Sequence, residues 1–266
     1  MPRPSTESPF LKCFGVGDGM ACADRNHSSY LYGIGGATVL VDCGEPVSRS
    51  FQALRLDSNA IDRVFLSHLH SDHVGGFFML LQGFWLGQRK KPLRVHLPAD
   101  GITPLRQMLT AAYLFDELFK FELIFEPLEE GRTVKQGTVQ VTPFRTTHLD
   151  RLRQTFQGKY PGDYAAYSFL IEAGGLRIGH SADLGAVEDL EPLLARPLDL
   201  LVCELSHFTP RRLFSYLRNR DIRQTIFTHL GRRYWEDLAE TRRLARTMLP
   251  GVRFAFARDQ EVFRLR

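Results

Sequence analysis

The sequence has no long apolar run, no large excess of one charge and no cysteine pair with metal-ligand spacing. Its 266 residues are 44% hydrophobic and 24% charged, with 34 basic and 30 acidic side chains. A membrane-spanning helix needs about 20 consecutive apolar residues, which are absent, and this balanced composition excludes a disordered chain. The net charge of +4 is too small for the basic field that binds long nucleic acid through its phosphates. A small anionic substrate is compatible with it.

Signals for export and for several domains are absent too. The amino-terminal MPRPSTESPF lacks a basic region followed by an apolar stretch, and the four cysteines show no C-x-x-C spacing. We therefore expect a cytoplasmic protein with reduced thiols. No Pro/Ser-rich linker, repeat or low-complexity tract interrupts the chain, so we interpret residues 1–266 as a single domain without a membrane partner. The oligomeric state stays open, with a homodimer as one alternative.

The pattern of secondary structure is mixed α/β. Thr103-Pro104 and Thr209-Pro210 each open a predicted helix, because threonine caps a helix and proline fits its first position; a third helix covers Tyr234 to Leu249. Paired strands and alternating helices favour mixed sheets covered by helices. The predicted strands, rich in β-branched and aromatic residues, are Ser29 to Ile34, Thr38 to Asp42, Arg63 to Ser67, Leu93 to Leu97, Phe121 to Phe125, Thr138 to Thr142, Tyr167 to Glu172, Leu176 to Gly179, Leu198 to Cys203, Thr225 to Thr228 and Val252 to Phe256.

The most specific motif is an H-x-H-x-D-H cluster directly after an apolar strand. If His68 and His70 continue the extended chain, their side chains point to the same side and both rings can reach one cation. Asp72 and His73 follow as the chain turns into a helix near Val74, so they face another direction. Without a cation, imidazole and carboxylate groups packed this closely would repel and desolvate one another. Both are good zinc ligands. The spacing favours two adjacent metal ions.

Three other apolar strands also end in a ligand-type residue. They lead to His148, Asp183 and His229, respectively. Strand ends in α/β proteins deliver side chains to one rim of a sheet, where functional loops gather. Together with the cluster they supply seven ligands, which is enough for two metals with room for water.

In this order the motifs resemble the metallo-β-lactamase superfamily, and within it the ribonuclease Z branch of phosphodiesterases. The resemblance extends over nearly the whole chain. Besides the H-x-H-x-D-H cluster, it is carried by Gly15-Val16-Gly17, Arg25-Asn26-His27-Ser28-Ser29, Val41-Asp42-Cys43-Gly44-Glu45, His180-Ser181-Ala182-Asp183, Phe227-Thr228-His229-Leu230, Arg233-Tyr234 and Ala257-Arg258-Asp259.

The resemblance implies a four-layer αββα sandwich with a binuclear centre at one edge. One metal would be held by three histidines and the other by Asp72 and two histidines, while Asp183 would bridge them. The implied histidine ligands are His68, His70 and His148 for the first metal, and His73 and His229 for the second. A water or hydroxide between the metals would be the nucleophile, and Asp72 would help to orient or deprotonate it. The ions are two divalent cations, zinc by default, with manganese or iron as alternatives.

Two further residues match supporting positions of the family, and a third is a candidate substitute. Asp42 corresponds to an acidic residue that supports the ligand loop by hydrogen bonding without touching metal. Glu204 falls where the ribonuclease Z branch has a glutamate that, with a later histidine, protonates the leaving oxygen. That later motif is not evident here, so His207 is interpreted either as its substitute or as a simple helix-entry residue. Of the other histidines, His96 is expected to be structural, and His180 at most to donate a supporting hydrogen bond.

The sequence departs from ribonuclease Z in one respect that bears on the substrate. Only 34 residues separate His148 from Asp183, which leaves no room for the protruding arm that holds transfer RNA. Leu149 to Tyr164 is predicted as a basic loop that covers the site, contacts a phosphate or is merely solvated. We therefore expect a hydrolase acting on a small or flexible phosphodiester.

Two other functions stay open. A lactonase or thioesterase is the main alternative, and it is favoured if the apolar helix predicted over Gly75 to Leu86 lines a pocket rather than the core. A β-lactamase is less expected because such enzymes commonly lack an acidic bridge at the Asp183 position. A non-catalytic metal-stabilised binding protein is disfavoured by the complete ligand set.

Overall fold

A computed structural model of the protein describes residues 8–265. Residues 1–7 and 266 lie outside the described residues. The prediction that the amino-terminal segment carries no export signal falls largely on residues 1–7. The strands are β1 Phe10–Gly15, β2 Ser29–Ile34, β3 Ala37–Val41, β4 Arg63–Phe65, β5 Leu93–Leu97, β6 Leu123–Pro127, β7 Val134–Gln136, β8 Val139–Thr146, β9 Ala166–Ala173, β10 Leu176–His180, β11 Leu200–Leu205, β12 Gln224–Leu230, β13 Arg253–Phe256 and β14 Val262–Arg264. The α-helices are α1 Val47–Ala53, α2 Ser71–Val74, α3 Phe77–Leu86, α4 Ile102–Ala111, α5 Asp150–Phe156, α6 Glu191–Leu194, α7 Pro210–Leu217, α8 Arg232–Glu236 and α9 Leu238–Met248. Short 3-10 helices cover Ala99–Gly101, Asp116–Leu118 and Val187–Leu190.

The strands form two mixed sheets of seven strands each. The first has the order β14-β1-β2-β3-β4-β5-β6, and the second has the order β13-β12-β11-β10-β9-β8-β7. In the first sheet β3 to β6 run parallel, and in the second β10 to β13 do so, while the remaining pairs are antiparallel. Both sheets are therefore mixed, as the alternation of strands and helices predicted.

The layers are held together by three apolar clusters. Residues from both sheets, such as Val41 and Phe65 from the first and Phe169 and Val202 from the second, form one cluster between the sheets. The outer face of each sheet packs against helices in the other two clusters, with α1, α3 and α4 over the first sheet and α7 and α9 over the second. This is the predicted four-layer αββα sandwich, which is confirmed.

Several boundaries differ from the prediction. The helix expected to open at Thr103-Pro104 begins at Ile102 without a side-chain cap, whereas Thr209 caps α7 as predicted. The helix expected over Tyr234 to Leu249 is interrupted at Asp237, whose side chain accepts a hydrogen bond from Glu240 N and caps a new helix. Leu149 to Tyr164 is not a plain loop, because it contains α5. Within residues 8–265, no helix is long and apolar enough to cross a membrane.

Candidate metal centre

The structure brings all seven predicted ligands to one edge of the sandwich, where the two sheets meet. They fall into two groups, each with its ligand atoms within 4.8 Å of one another. One group is His68, His70 and His148; the other is Asp72, His73, Asp183 and His229. Asp183 apart, which the resemblance implied as a bridge, the two groups contain the same residues as the implied ligand sets.

Local structure explains how one short segment serves both groups. After β4 the chain stays extended through His70, so the rings of His68 and His70 lie 4.7 Å apart and on the same side. Helix α2 then begins at Ser71, three residues before the predicted start, and this turn carries Asp72 and His73 towards the second group. As the spacing predicted, His68 and His70 face one side while Asp72 and His73 face another, although the helix begins earlier.

Asp183 lies between the groups. Its Oδ2 is 3.6 Å from His148 Nε2, 3.9 Å from His68 Nε2 and 3.4 Å from His229 Nε2. Its Oδ1 is 3.3 Å from His73 Nε2. The carboxylate of Asp183 thus faces ligand atoms of both groups.

Asp42 forms hydrogen bonds with Ser67 and His73 of the ligand segment. Its buried carboxylate accepts hydrogen bonds from Ser67 N at 2.7 Å and Ser67 Oγ at 2.9 Å, and His73 Nδ1 lies 2.7 Å away. A carboxylate on one ring nitrogen keeps the proton there and leaves the other nitrogen free to ligate. Asp42 therefore fixes His73 with Nε2 facing the centre, in agreement with the supporting role that the resemblance implied.

A contact that the sequence did not point to is that of Ser28. Its Oγ lies 2.8 Å from His229 Nδ1, which leaves Nε2 of that ring towards Asp72 and Asp183. In the sequence, Ser28 stood out only as part of Arg25-Asn26-His27-Ser28-Ser29, one of the motifs that carry the resemblance. His27 belongs to neither ligand group, and its Nδ1 lies 2.9 Å from the carbonyl oxygen of Asp18.

The donor set fits divalent cations. Within residues 8–265, His68 Nε2, His73 Nε2 and Asp183 Oδ1 are buried side-chain atoms without a hydrogen-bond partner. Burial lowers the pKa of His68 well below its ordinary value, so its ring is neutral and able to ligate. Burial alone would raise the pKa of Asp183, but His229 and His73 outweigh it and hold this pKa well below the ordinary value. Burial lowers the pKa of His73 and His229, but the Asp183 carboxylate outweighs it and both pKa values rise, so a metal ion would displace a proton from each of these rings on binding. Deprotonated imidazole and carboxylate groups are the ligands that zinc and similar ions require.

Glu204 and His207 form a pair at the rim of the centre. His207 Nδ1 is 2.8 Å from Glu204 Oε1, and the buried glutamate also accepts hydrogen bonds from the backbone N–H groups of Leu184, Ser206 and His207. Burial lowers the pKa of His207, but the Glu204 carboxylate outweighs this effect and the pKa rises to about 9. The His207 side chain is 35% exposed, and one of its ring nitrogens lies within 4.8 Å of ligand atoms of His148 and Asp183.

The two remaining histidines lie in strands. His96 stacks on Phe65 in the first sheet, with Nε2 at 2.9 Å from a guanidinium nitrogen of Arg63, and is structural as expected. His180 Nδ1 lies 2.8 Å from the hydroxyl of Tyr32. Neither residue belongs to the two ligand groups.

A cavity of about 300 Å³ adjoins the centre next to His70. One wall comes from α5, the residue before it and the segment after it, and it includes Leu149, Leu152, Tyr160 and Tyr164. The segment predicted as a basic loop therefore covers one side of the site, and it does so with apolar and aromatic side chains.

The apolar helix that favoured a carboxyl-ester substrate lies elsewhere. In α3, Phe77, Leu80 and Phe84 are buried in the core, and the exposed Met79 and Leu86 border a groove of about 240 Å³ against α1. None of the seven predicted ligands lines this groove. The core interpretation of this helix is therefore the better one, and it forms no wall of the metal site.

Fold and site define a class of protein: the chain is a metal-dependent hydrolase of the metallo-β-lactamase fold. Residues 10–209 match the family described as Anti-Pycsar protein Apyc1. The chain belongs to this family.

Similar proteins share parts or all of this architecture. A ribonuclease Z from Archaeoglobus fulgidus is 24% identical over 80% of this chain and 84% of its own length. A ribonuclease Z from Pyrococcus horikoshii is 30% identical, but the match spans only 50% of this chain and 43% of that protein. Among solved structures, the metallo-β-lactamase fold protein YhfI from Bacillus subtilis has a TM-score of 0.76 at 19% identity, with 97% of this chain and 99% of that chain covered. The short form of human tRNase Z has a TM-score of 0.73 at 17% identity, with 97% and 99% covered.

Proposed function

We propose that the protein is a binuclear metal-dependent phosphodiesterase that acts on a small or flexible phosphodiester. His68, His70 and His148 would hold one divalent cation. Asp72, His73 and His229 would hold the other, and Asp183 would bridge the two. Zinc is the default metal, with manganese or iron as alternatives.

The observation that carries the proposal is the position of Asp183 between two ligand groups. Four histidine Nε2 atoms, two from each group, lie within 3.9 Å of its carboxylate oxygens. Because the first sheet supplies the H-x-H-x-D-H cluster and the second supplies the other three ligands, the centre needs both sheets. We therefore also propose that residues 1–266 work as a single domain.

Two bound divalent cations would supply an activated water and would stabilise the negative charge that develops on the attacked phosphate. The chain's own residues would orient that water and handle its protons. One Asp72 oxygen lies 3.4 Å from His73 Nε2 and 3.9 Å from His229 Nε2, so it is placed to accept a hydrogen bond from a water between the groups. On the other side, His207 would donate a proton to the leaving oxygen, and Glu204 would hold its ring in place.

The cavity beside His70 supports a small substrate. Its volume of about 300 Å³ is at the lower end of the range of small-molecule sites, and the wall formed by Leu152 and Tyr160 closes one side of it. Two of the similar proteins are named ribonuclease Z, and a further structural neighbour with a TM-score of 0.67 is a diphosphatase of the PhnP family. These names support a phosphate ester. Long nucleic acid is disfavoured by the net charge of +4.

The proposal is tested by metal analysis of purified protein and by parallel assays with an activated phosphodiester, a lactone, a thioester and a β-lactam. We expect two metal ions per chain and turnover of the phosphodiester that is lost in Asp183→Ala. The matched control is Asp62→Asn, an aspartate that precedes β4 and accepts a hydrogen bond from Thr38 N, whereas the ligand cluster follows the other end of that strand. Fewer than one metal per chain would refute the mechanism, and turnover of the lactone or thioester alone would establish the carboxyl-ester alternative.

A further inference from the structure

Two of the proposed ligands stand at strand ends that no sheet hydrogen bond connects. His148 follows β8 and Asp183 follows β10, and both strands pair with β9, which lies between them. Since β8 and β10 are both antiparallel to β9, their carboxyl ends meet at the same edge of the sheet, about 10 Å apart across two strand spacings. The distance between the two ligands therefore depends on contacts outside the sheet.

The carboxylate of Asp189 makes those contacts. It lies on the 3-10 helix Val187–Leu190, downstream of Asp183. Its Oδ2 accepts hydrogen bonds from Gly185 N at 2.9 Å and Ala186 N at 3.1 Å, in the segment that follows Asp183. The same carboxylate accepts from Thr147 N at 2.9 Å and from Thr147 Oγ1 at 3.0 Å, next to His148.

An independent feature shows how closely the two segments approach. A Cβ atom at Gly185 would lie 2.3 Å from the carbonyl carbon of Thr147 and 2.4 Å from its Oγ1, so only glycine fits there. A further hydrogen bond runs from Thr146 Oγ1 to the carbonyl oxygen of Asp183 at 2.9 Å. The two ligand segments are thus in direct contact, and Asp189 is the charged group that joins them.

We propose that Asp189 is a positioning residue that holds His148 and Asp183 at the spacing that metal binding requires. It does not touch the centre itself. A carboxylate bound to backbone N–H groups makes charge-assisted hydrogen bonds, which are roughly twice as strong as neutral ones. Removal of Asp189 should leave the sheets intact and let the segment of His148 move relative to that of Asp183. The expected effect on metal binding rests on the proposed function. The contact between the two segments does not depend on that function.

The test uses the whole protein, stripped of metal, with cobalt(II) as the probe. Cobalt(II) is titrated in while its visible absorption is recorded, because this signal reports ligand geometry. In Asp189→Ala we expect affinity about 10- to 100-fold weaker than in the wild type and an altered spectrum. Asp189→Asn should give an intermediate loss, since an amide oxygen still accepts but carries no charge. The matched control is Asp199→Ala, which removes an aspartate that accepts from Arg177 N near the opposite end of β10; its affinity should equal that of the wild type.

A second readout needs no metal. By NMR, hydrogen exchange at the Thr147 and Gly185 amides should become at least about 10-fold faster in Asp189→Ala, with the melting curve retained. If Asp189→Ala fails to fold, Thr147→Val takes its place, because it removes only the hydroxyl donor; Thr147→Ser should behave as the wild type. Unchanged exchange would refute the contact, and faster exchange with unchanged cobalt binding would refute the positioning role. A wild-type protein that binds no cobalt would instead refute the proposed function, and the exchange data would still decide on the contact.

Discussion

Asn in place of Asp42 should weaken metal binding without unfolding the protein. Asp42 is fully buried and has φ +60°, a left-handed conformation that asparagine tolerates better than alanine does. Asp42→Asn therefore preserves the backbone and volume, and changes only the charge and one acceptor. The effect on the site is then separable from a general loss of packing.

The magnitude follows from the three partners of the carboxylate. If the amide oxygen keeps His73 Nδ1, the amide NH₂ group opposes the Ser67 N–H, which loses its acceptor at 2.7 Å. If the amide is reversed, it donates to His73 Nδ1 and forces the ring proton onto Nε2, the nitrogen proposed to ligate. Either orientation should weaken metal affinity by about 10- to 100-fold, or about 1.4 to 2.8 kcal/mol.

The assay is competition for zinc between the protein and a chromophoric chelator, with circular dichroism to confirm the fold. Asp62→Asn is the matched control: its carboxylate accepts from Thr38 N at 2.7 Å and pairs with Lys91, away from the ligands. This control should lose some stability and keep its zinc affinity. A folded Asp42→Asn protein with wild-type zinc affinity would show that the carboxylate does not organise His73.

Three other changes test different parts of the molecule. Arg89 is fully buried and donates hydrogen bonds to four backbone carbonyl oxygens. Arg89→Met should therefore lower the free energy of unfolding, measured in urea, by more than about 3 kcal/mol. A loss below about 1 kcal/mol would contradict this. Burial, with Arg63 and Arg94 nearby, lowers the pKa of His96 to about 3; the unfolded chain then binds an extra proton below about pH 6.5, and stability falls as the pH drops. Between pH 6 and 4.5, His96→Gln should remove about 2 kcal/mol of this loss, as measured by urea unfolding at each pH. Leu152→Trp should fill the cavity beside the centre and raise KM for a phosphodiester several-fold at unchanged metal content, whereas Leu86→Trp on the groove of α3 should leave KM unchanged.

Local patterns predicted the interior of the fold better than its edges. Strands β2 and β5 have the predicted bounds because their apolar residues are buried. Those of β2 are buried on both faces of the sheet, and those of β5 on the face that the helices cover. Strand β1 was not predicted; it lies between β2 and β14, so part of its pairing is with a strand near the other end of the chain. Helix α5 was missed because none of its residues is buried, which leaves no apolar period to detect.

The same distinction applies to the site. Asp72 and His73 could be placed from their spacing to His68 and His70, because a strand end followed by a helix turn has few possible geometries. The contact of Ser28 with His229 joins residues far apart in the chain, and the contact of Asp189 with Thr147 crosses an intervening strand. Neither had a signal in the local sequence, because each depends on how complete strands pack.

The distribution of the ligands over the two sheets has a consequence for how the protein matures. Only four of the seven ligands are neighbours in the chain, and the other three reach the centre once the second sheet has formed and docked. Before the sheets dock, the cluster would offer each cation of the proposed centre only two ligands, His68 and His70 or Asp72 and His73. In the proposed centre, tight metal uptake is therefore a late event, and the rate at which a refolding chain captures metal would report when the two halves of the sandwich have come together.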